Sequence, residues 1–439
     1  MTTVQSDIVI VGARCAGATL ATLLARRGLR VLVLDSGAEG TGQALSTHFL
    51  QPPAMAVLDK IGVGDAIRAC TPATKVIRGA FDEWDVIAPL EENRYSYCPR
   101  RTTLDPLLQQ AAQNAGAELR FHHTVRELIW EHDRVVGVTA DTAQGRENFY
   151  APLVVGADGA HSTVARLVGA ESYLEKELTR GGYWLYFPAP TQWPYPWDAT
   201  LEHMGEDLRY VFRTDGDQIL LATTTTRDKA ASWGAQHLEK TLSHLRGSPT
   251  MHPLMEGREP IGKGAGLLKS TFFYRRPVGP GWALVGDAGH YKDFVTGQGI
   301  ADAVLDAERL AEAIVDGRPL AYERYWRARD VDTMPLHFDA IRQGQVGYNN
   351  PFVRWLYRHL HHRPDLMRKF AKVNLREIRP TDFIPMSSML GWMGHALVRG
   401  RFDVLKTFWQ TGQLIASEEK EMKHRQALLD AVQVQLGLN

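Results

Sequence analysis

Three strand–turn–helix segments, opening near residues 7, 153 and 282, predict an α/β protein. The expected parts are a Rossmann-like domain, an inserted and mostly antiparallel β-sheet domain, and a helical C-terminal region. Each of the three segments begins with a short apolar run, turns through glycine and aspartate, and continues into a helix-forming stretch. Aromatic residues become dense between the second and third segments, and helical periodicity follows the third.

Asp7 to Val11 reads DIVIV, the β-branched run of a strand buried on both faces. A helix is expected from Gly17 to Arg27, with small residues at Ala18, Ala21 and Ala25. Gly28 closes it, because glycine adopts a left-handed backbone at little cost. Arg30 to Leu34 reads RVLVL, a second buried strand, and Asp35 follows it. Strand, helix and strand form a right-handed βαβ unit.

Further helices are expected over Pro53–Ile61 and Asp105–Ala115, the latter closed by Gly116. Strands are expected at Glu118–His122, Val125–Glu131, Val135–Ala140 and Leu153–Gly156. From Tyr173 to Thr271 the aromatics (Tyr183, Trp184, Tyr186, Phe187, Trp193, Tyr195, Trp197) accompany strand-like runs at Leu208–Thr214 and Gln218–Thr226. The chain then returns to a buried strand at Trp282–Val285 and a helix over Ile300–Val315. Beyond Pro335, Phe352, Trp355, Leu356 and Leu360 fall on one helix face.

This reading divides the chain into three. Residues 1–75, 100–172 and 275–334 form the Rossmann-like domain, and 76–99 with 173–274 form the sheet domain. Residues 335–439 form the helical region, expected to pack on its own chain and help close the substrate cavity.

Lys+Arg and Asp+Glu are both 50, so the formal net charge is zero, against the basic excess of a nucleic-acid binder. Hydrophobic residues make up 44% and charged residues 23%, the balance of a globular protein. Cys15, Cys70 and Cys98 are odd in number and lack CxxC spacing, which argues against a disulfide framework or zinc site. No apolar run reaches the roughly 20 residues of an integral membrane segment. The stretch from Asp7 to Leu24 lacks the basic start of a signal peptide. The chain thus reads as cytoplasmic, with no feature that specifies an oligomeric state.

The first turn, Gly12-Ala13-Arg14-Cys15-Ala16-Gly17, follows the GxGxxG pattern with Arg14 in place of the middle glycine. It follows a strand, opens a helix, and precedes an acidic residue at the next strand end. A helix N-terminus binds phosphate and a carboxylate there accepts ribose hydroxyls. Gly12, Arg14, Ala16, Gly17 and Asp35 are therefore candidate cofactor-binding residues. The second turn, Gly156-Ala157-Asp158-Gly159, contributes Asp158. The third, Gly286-Asp287-Ala288-Gly289-His290, leads to Gly297-Gln298-Gly299 and contributes Gly286, Asp287, Gly297 and Gly299.

With this trio, roughly residues 5–330 resemble the single-component flavoprotein monooxygenases of the para-hydroxybenzoate hydroxylase type, in a bacterial form (GARCAG, STHFLQP, GDAGHYKD). The resemblance implies non-covalent FAD, with Gly12, Gly17 and Asp35 at its ADP half and Asp287 at the ribityl chain. It also implies that Arg101 contacts FAD and that Asp158 serves both FAD and a transiently bound NAD(P)H. The chain departs from the family at Arg14, at Phe294 where a proline is common, and at Ala301 in Gly299-Ile300-Ala301, where asparagine is common.

Several other signals lose to simpler readings. Gly257–Gly264 (GREPIGKG) lacks the Ser/Thr of a phosphate loop and reads as a loop. Gly262–Gly266 follows no strand, so a second dinucleotide domain is not expected. His359, His361 and His362 lack metal-ligand spacing and read as a solvated helix end before Pro364. No GxSxG or HExxH occurs, Cys15 reads as a packed thiol, and the WxWxIP signature of flavin halogenases is absent.

The resemblance implies an FAD-dependent monooxygenase in which NAD(P)H reduces the flavin and O₂ adds at C4a as a hydroperoxide. Oxygen then passes to a small aromatic or unsaturated substrate. His48, in the STHFL loop, is the polar residue expected near that substrate as a catalytic candidate, with a buried histidine bonded to its surroundings as the plain alternative. An FAD-dependent dehydrogenase or ene-reductase without oxygen transfer uses the same motifs, as does a non-catalytic FAD-bound interaction protein.

Overall fold

Ile8, Val9, Ile10 and Val11 are all buried because their strand lies inside a six-stranded sheet covered on both faces. The computed structural model describes residues 4–42 and 46–435; residues 1–3, 43–45 and 436–439, within the expected first and last regions, lie outside the described residues. The sheet runs in the order Val278–Gly279, Trp282–Leu284, Leu153–Gly156, Ile8–Val11, Val31–Leu34, Glu118–Arg120. All pairings are parallel except the first.

Alternation splits the central strands between two cores. Ile8, Ile10, Val31, Val33 and Val155 face helices Cys15–Ala25, Arg101–Asn114 and Gly299–Asp316. Val9, Val11, Leu32, Leu34 and Val154 face a four-stranded sheet through Val125, Val135, Val138 and Phe149.

The inserted domain is a seven-stranded sheet in the order Ile261–Leu267, Arg180–Pro188, Gln218–Thr226, Asp207–Thr214, Ala199–Met204, Val76–Phe81, Trp84–Pro89. Its pairings are antiparallel apart from Ala199–Met204 on Val76–Phe81. Trp184, Tyr210, Phe212 and Leu220 cover the face toward Phe49, Phe294 and Val295. Leu185, Phe187, Val211 and Leu221 cover the other, against Leu245, Met251 and Leu254.

The expected architecture is present, with local differences. The segment read as a loop at Gly257–Gly264 runs into the edge strand Ile261–Leu267, which pairs by backbone bonds and needs no alternating pattern. The helix expected from Asp105 begins at Arg101 and carries Pro106 inside. Helix Ala321–Gly344 runs straight through the expected boundary at Pro335, which sits within it. Of the histidines near Pro364, His362 is exposed as expected at a solvated helix end, while the partly buried His361 donates from Nδ1–H to the Asp85 carbonyl (2.6 Å) and His359 from Nδ1–H to that of Trp355 in its own helix (2.7 Å).

After that helix come Pro351–Leu360, Pro364–Asn374, Met386–Val398 and Phe402–Gln435. Asn350 caps the first by accepting from the Phe352 and Val353 amides (3.0 and 3.1 Å). Phe352, Trp355 and Leu360 are buried with Phe81 and Val86 of the sheet, so the segment packs on its own chain. Among the described residues, none of this segment lines the cavity treated below, whose lining ends at Ala303, although Ala340 packs with Trp184 and Phe294 behind that wall.

An ion pair also ties this region to the core. Arg376 Nη1 lies 2.6 Å from Asp302 Oδ1 in helix Gly299–Asp316, and Nη2 lies 3.0 Å from Asp332; the Arg376 and Asp302 side chains are each 3% exposed. Removing one partner of a buried pair leaves an uncompensated charge. Arg376→Met is therefore expected to cost about 3 kcal/mol, read as a lowered midpoint of chemical denaturation. A midpoint equal to that of the unaltered protein would show that this clamp contributes nothing.

Candidate functional site

Strands Ile8–Val11, Leu153–Gly156 and Trp282–Leu284 are neighbours in register, so the three turns leave the sheet at one edge. Together they border a cavity of about 550 Å³ that runs from Asp35 at one end to Trp184 and Leu267 of the inserted sheet at the other.

The first turn fits only because two side chains are missing. A Cβ on Gly12 (φ +106°) would lie 2.5 Å from the Ala157 carbonyl oxygen, and one on Gly17 would lie 1.9 Å from that of Gly12. Arg14 replaces a glycine without strain, since its backbone is extended (φ −97°, ψ −162°) and its side chain is exposed. Ala16 is buried in the first turn of helix Cys15–Ala25, whose N-terminus faces the cavity. Asp35 braces the turn by accepting from the Ala13 and Gly37 amides, both at 2.7 Å.

Arg101 lies on the wall in a two-point pair with Asp105 (2.9 Å each), which also accepts from the Cys15 thiol (3.3 Å). Burial pushes that thiol far up, which leaves it unreactive. Asp158 also borders the cavity, but its carboxylate is engaged locally, accepting from the Ser162 hydroxyl (2.5 Å) and the Thr163 amide (2.6 Å) at the start of helix Thr163–Leu167.

Asp287 differs. It lies in the turn Gly286–Ala288, on the cavity wall, and among the described residues no hydrogen-bond donor reaches its carboxylate. Burial pushes its pKa up to about 6, with His290 and Arg101 pulling the other way. Gly286 (φ +61°) brings this turn against Ala16, where a Cβ would come within 2.9 Å of the Ala16 side chain. Gly297 (φ +63°) turns the chain into helix Gly299–Asp316, and Gly299 leaves that helix N-terminus open to the cavity.

The His48 ring does not line the cavity; Ser46 and Thr47 do. His48 is buried in a left-handed conformation (φ +62°), hydrogen-bonded through Nε2 to the Tyr186 hydroxyl. Burial, with Arg101 nearby, pushes its pKa down to about 3, so the ring is neutral.

Sequence reasoning missed Trp184, Phe294 and Leu267 as a wall, and Lys292, His290 and Asp302 as a buried charge group beside it. Lys292 Nζ lies 2.7 Å from Asp302 Oδ2, and His290 lies between Asp302 and Asp306 (3.5 and 3.3 Å). Their adjacency to the Asp287 turn was the available signal.

A family described as "FAD binding domain" matches residues 5–316. A digeranylgeranylglycerophospholipid reductase of Methanocella arvoryzae is 26% identical over 331 residues, 71% of this chain and 77% of that protein. A 6-methylpretetramide 4-monooxygenase of Streptomyces rimosus is 24% identical over 337 residues, 71% of this chain and 76% of that protein. Among solved structures, p-nitrophenol 4-monooxygenase PnpA of Pseudomonas putida superposes with a TM-score of 0.73 at 19% identity, covering 86% of this chain and 99% of that one.

The residues present fit FAD. The close-packed glycines and a helix N-terminus suit a pyrophosphate, Asp35 a ribose, and the partly buried, donorless Asp287 a chain of hydroxyls. Hydroxyls donate to the ionised carboxylate, so binding lowers the Asp287 pKa and releases a proton. FAD affinity is thus expected to rise as pH rises through about 6. Asp287→Asn should flatten that dependence and weaken binding roughly ten- to a hundredfold, since a hydrogen bond to a charged group is worth about 1.5–3 kcal/mol. Fluorescence titration of the apoprotein with FAD measures both, and an unchanged dissociation constant would remove Asp287 from the ligand set.

Proposed function

The chain belongs to the FAD-binding-domain family, and from that premise we propose that it is a monooxygenase that consumes NAD(P)H and O₂ to oxygenate a small aromatic or unsaturated substrate. The observation that carries this reading is one continuous cavity. Its polar end suits the cofactor, and its other end is walled by Trp184, Phe294 and Leu267. Trp184 and Phe294 meet edge to face with centroids 5.1 Å apart, an apolar corner into which a ring or alkene can pack.

Bound FAD supplies electron transfer and oxygen activation. The protein's residues bind, orient and exclude water. Asp287 holds the ribityl hydroxyls. The N-terminus of helix Gly299–Asp316 directs its positive end into the cavity, where it stabilises developing negative charge. Trp184, Phe294 and Leu267 keep the reacting end dry. His48, neutral and bonded to Tyr186, sits behind this wall and steadies the sheet domain against the STHFL loop.

The likeness to a prenyl-lipid reductase favours a second reading, reduction of an alkene without oxygen transfer. Incubation under ¹⁸O₂ with NAD(P)H and candidate substrates separates the two. The monooxygenase reading expects one labelled oxygen in the product and faster flavin reduction when the substrate is present. A product reduced by two hydrogens and free of label would establish the reductase instead. Trp184→Ala should raise the substrate KM with FAD content unchanged.

A further inference from the structure

Large apolar side chains are exposed mainly in one place. Met386, Leu390, Leu397 and Val398 project from helix Met386–Val398, and Phe402, Trp409 and Leu414 from helix Phe402–Gln435. The exposures are high: Val398 87%, Met386 70%, Phe402 67% and Trp409 67%.

Helix Met386–Val398 contains no Asp, Glu, Lys or Arg. Met393 and Ala396 bury its inner face, while Met386, Leu390, Leu397 and Val398 repeat at helical spacing on its outer face. An uncharged helix with large apolar side chains on its exposed face lacks a partner for that face, and this one has a core on one side only. At 13 residues it is about 20 Å long. Among the described residues, no helix is long and apolar enough to cross a membrane.

Charge identifies the occupant. The chain is neutral overall, yet residues 351–414 carry 11 Lys/Arg against 4 Asp/Glu. Exposed Arg399 and Lys406 stand at the joint between the two helices, where Arg401 pairs with Asp403 (2.8 Å), the one acid in residues 386–414. Lys406 falls between Phe402 and Trp409 on one helix face, where a long aliphatic stem lies along apolar surface and its ammonium reaches outward. A two-fold contact with a second copy would bring these cations together. An anionic partner avoids that, and an unbroken apolar stripe with aromatic residues and flanking cations suits lipid.

We propose that the ridge from Met386 to Leu414 is an interfacial docking surface for a membrane rich in anionic lipid, in which the two helices lie in the headgroup plane without crossing. The inference is independent of which reaction the flavin site performs.

The test is sedimentation of the full-length, FAD-loaded protein with vesicles of phosphatidylcholine alone, or of phosphatidylcholine with phosphatidylglycerol. The proposal expects partition onto the mixed vesicles, weakened by salt, with Trp409 emission shifted to the blue. Leu390→Ser, Leu397→Ser and Val398→Ser together should abolish partition with flavin absorbance intact. Arg399→Glu with Lys406→Glu leaves the apolar stripe whole and should lower partition to mixed vesicles by more than tenfold, since each basic residue near such a surface contributes about 1 kcal/mol, roughly fivefold. If the triple variant fails to fold, the charge variant gives the same reading. No partition on either vesicle would overturn the proposal. So would a concentration-dependent dimer that the triple variant dissolves, or tight binding to an acidic protein with none to lipid.

Discussion

The site depends on one close approach: the backbone of Gly12 rests against the carbonyl of Ala157, where a side chain of any size would lie 2.5 Å away. That contact holds the ends of strands Ile8–Val11 and Leu153–Gly156 level, and register carries the same alignment to Trp282–Leu284. Gly17 and Gly286 repeat the device, the first against the Gly12 carbonyl and the second against Ala16. Packing at this density transmits strain, so a methyl group at any of the three would move the others. The turns therefore behave as a single rim. Asp35, Asp158 and Asp287, distant in sequence, border one cavity because of it.

The buried carboxylates around that rim separate by partner. Asp302 has Lys292 on one oxygen and Arg376 on the other, and these cations hold it ionised against the cost of burial. Asp158 satisfies the start of its own helix. Among the described residues Asp287 has no donor on its carboxylate, only the fields of His290, Arg101 and Lys292 opposed by that of Asp302, and burial dominates. A buried carboxylate with matched cations braces structure. One facing a cavity with no donor is placed for a ligand's hydroxyls. That contrast distinguishes Asp287 from its neighbours more sharply than its sequence motif does.

The C-terminal helices show how one segment serves two purposes. Phe352, Trp355 and Leu360 seat it on Phe81 and Val86, while Arg376 reaches back to Asp302. The first contact is apolar and nonspecific in direction; the second fixes where the segment sits. Helix Met386–Val398 then packs on this platform with its inner face alone.

The sequence by itself determined the local pieces: the βαβ unit, the three turns, the helix face at Phe352 and the paired positions of Asp35 and Asp287. These follow from φ/ψ demands and hydrophobic period, which near neighbours set. The tertiary structure decided what those pieces face. Trp184 enters the site through its contact with Phe294, far along the chain, and Arg376 meets an acid 74 residues before it. His48 looked like a residue for the substrate, yet packing turned its ring to Tyr186. The regional boundary expected at Pro335 falls inside a single helix. Even strand Ile261–Leu267, with its glycines and single lysine, exists only because Arg180–Pro188 presents an open edge. Charge pairing, burial and edge pairing depend on which surfaces meet, and a surface is defined only once the strands have chosen their neighbours.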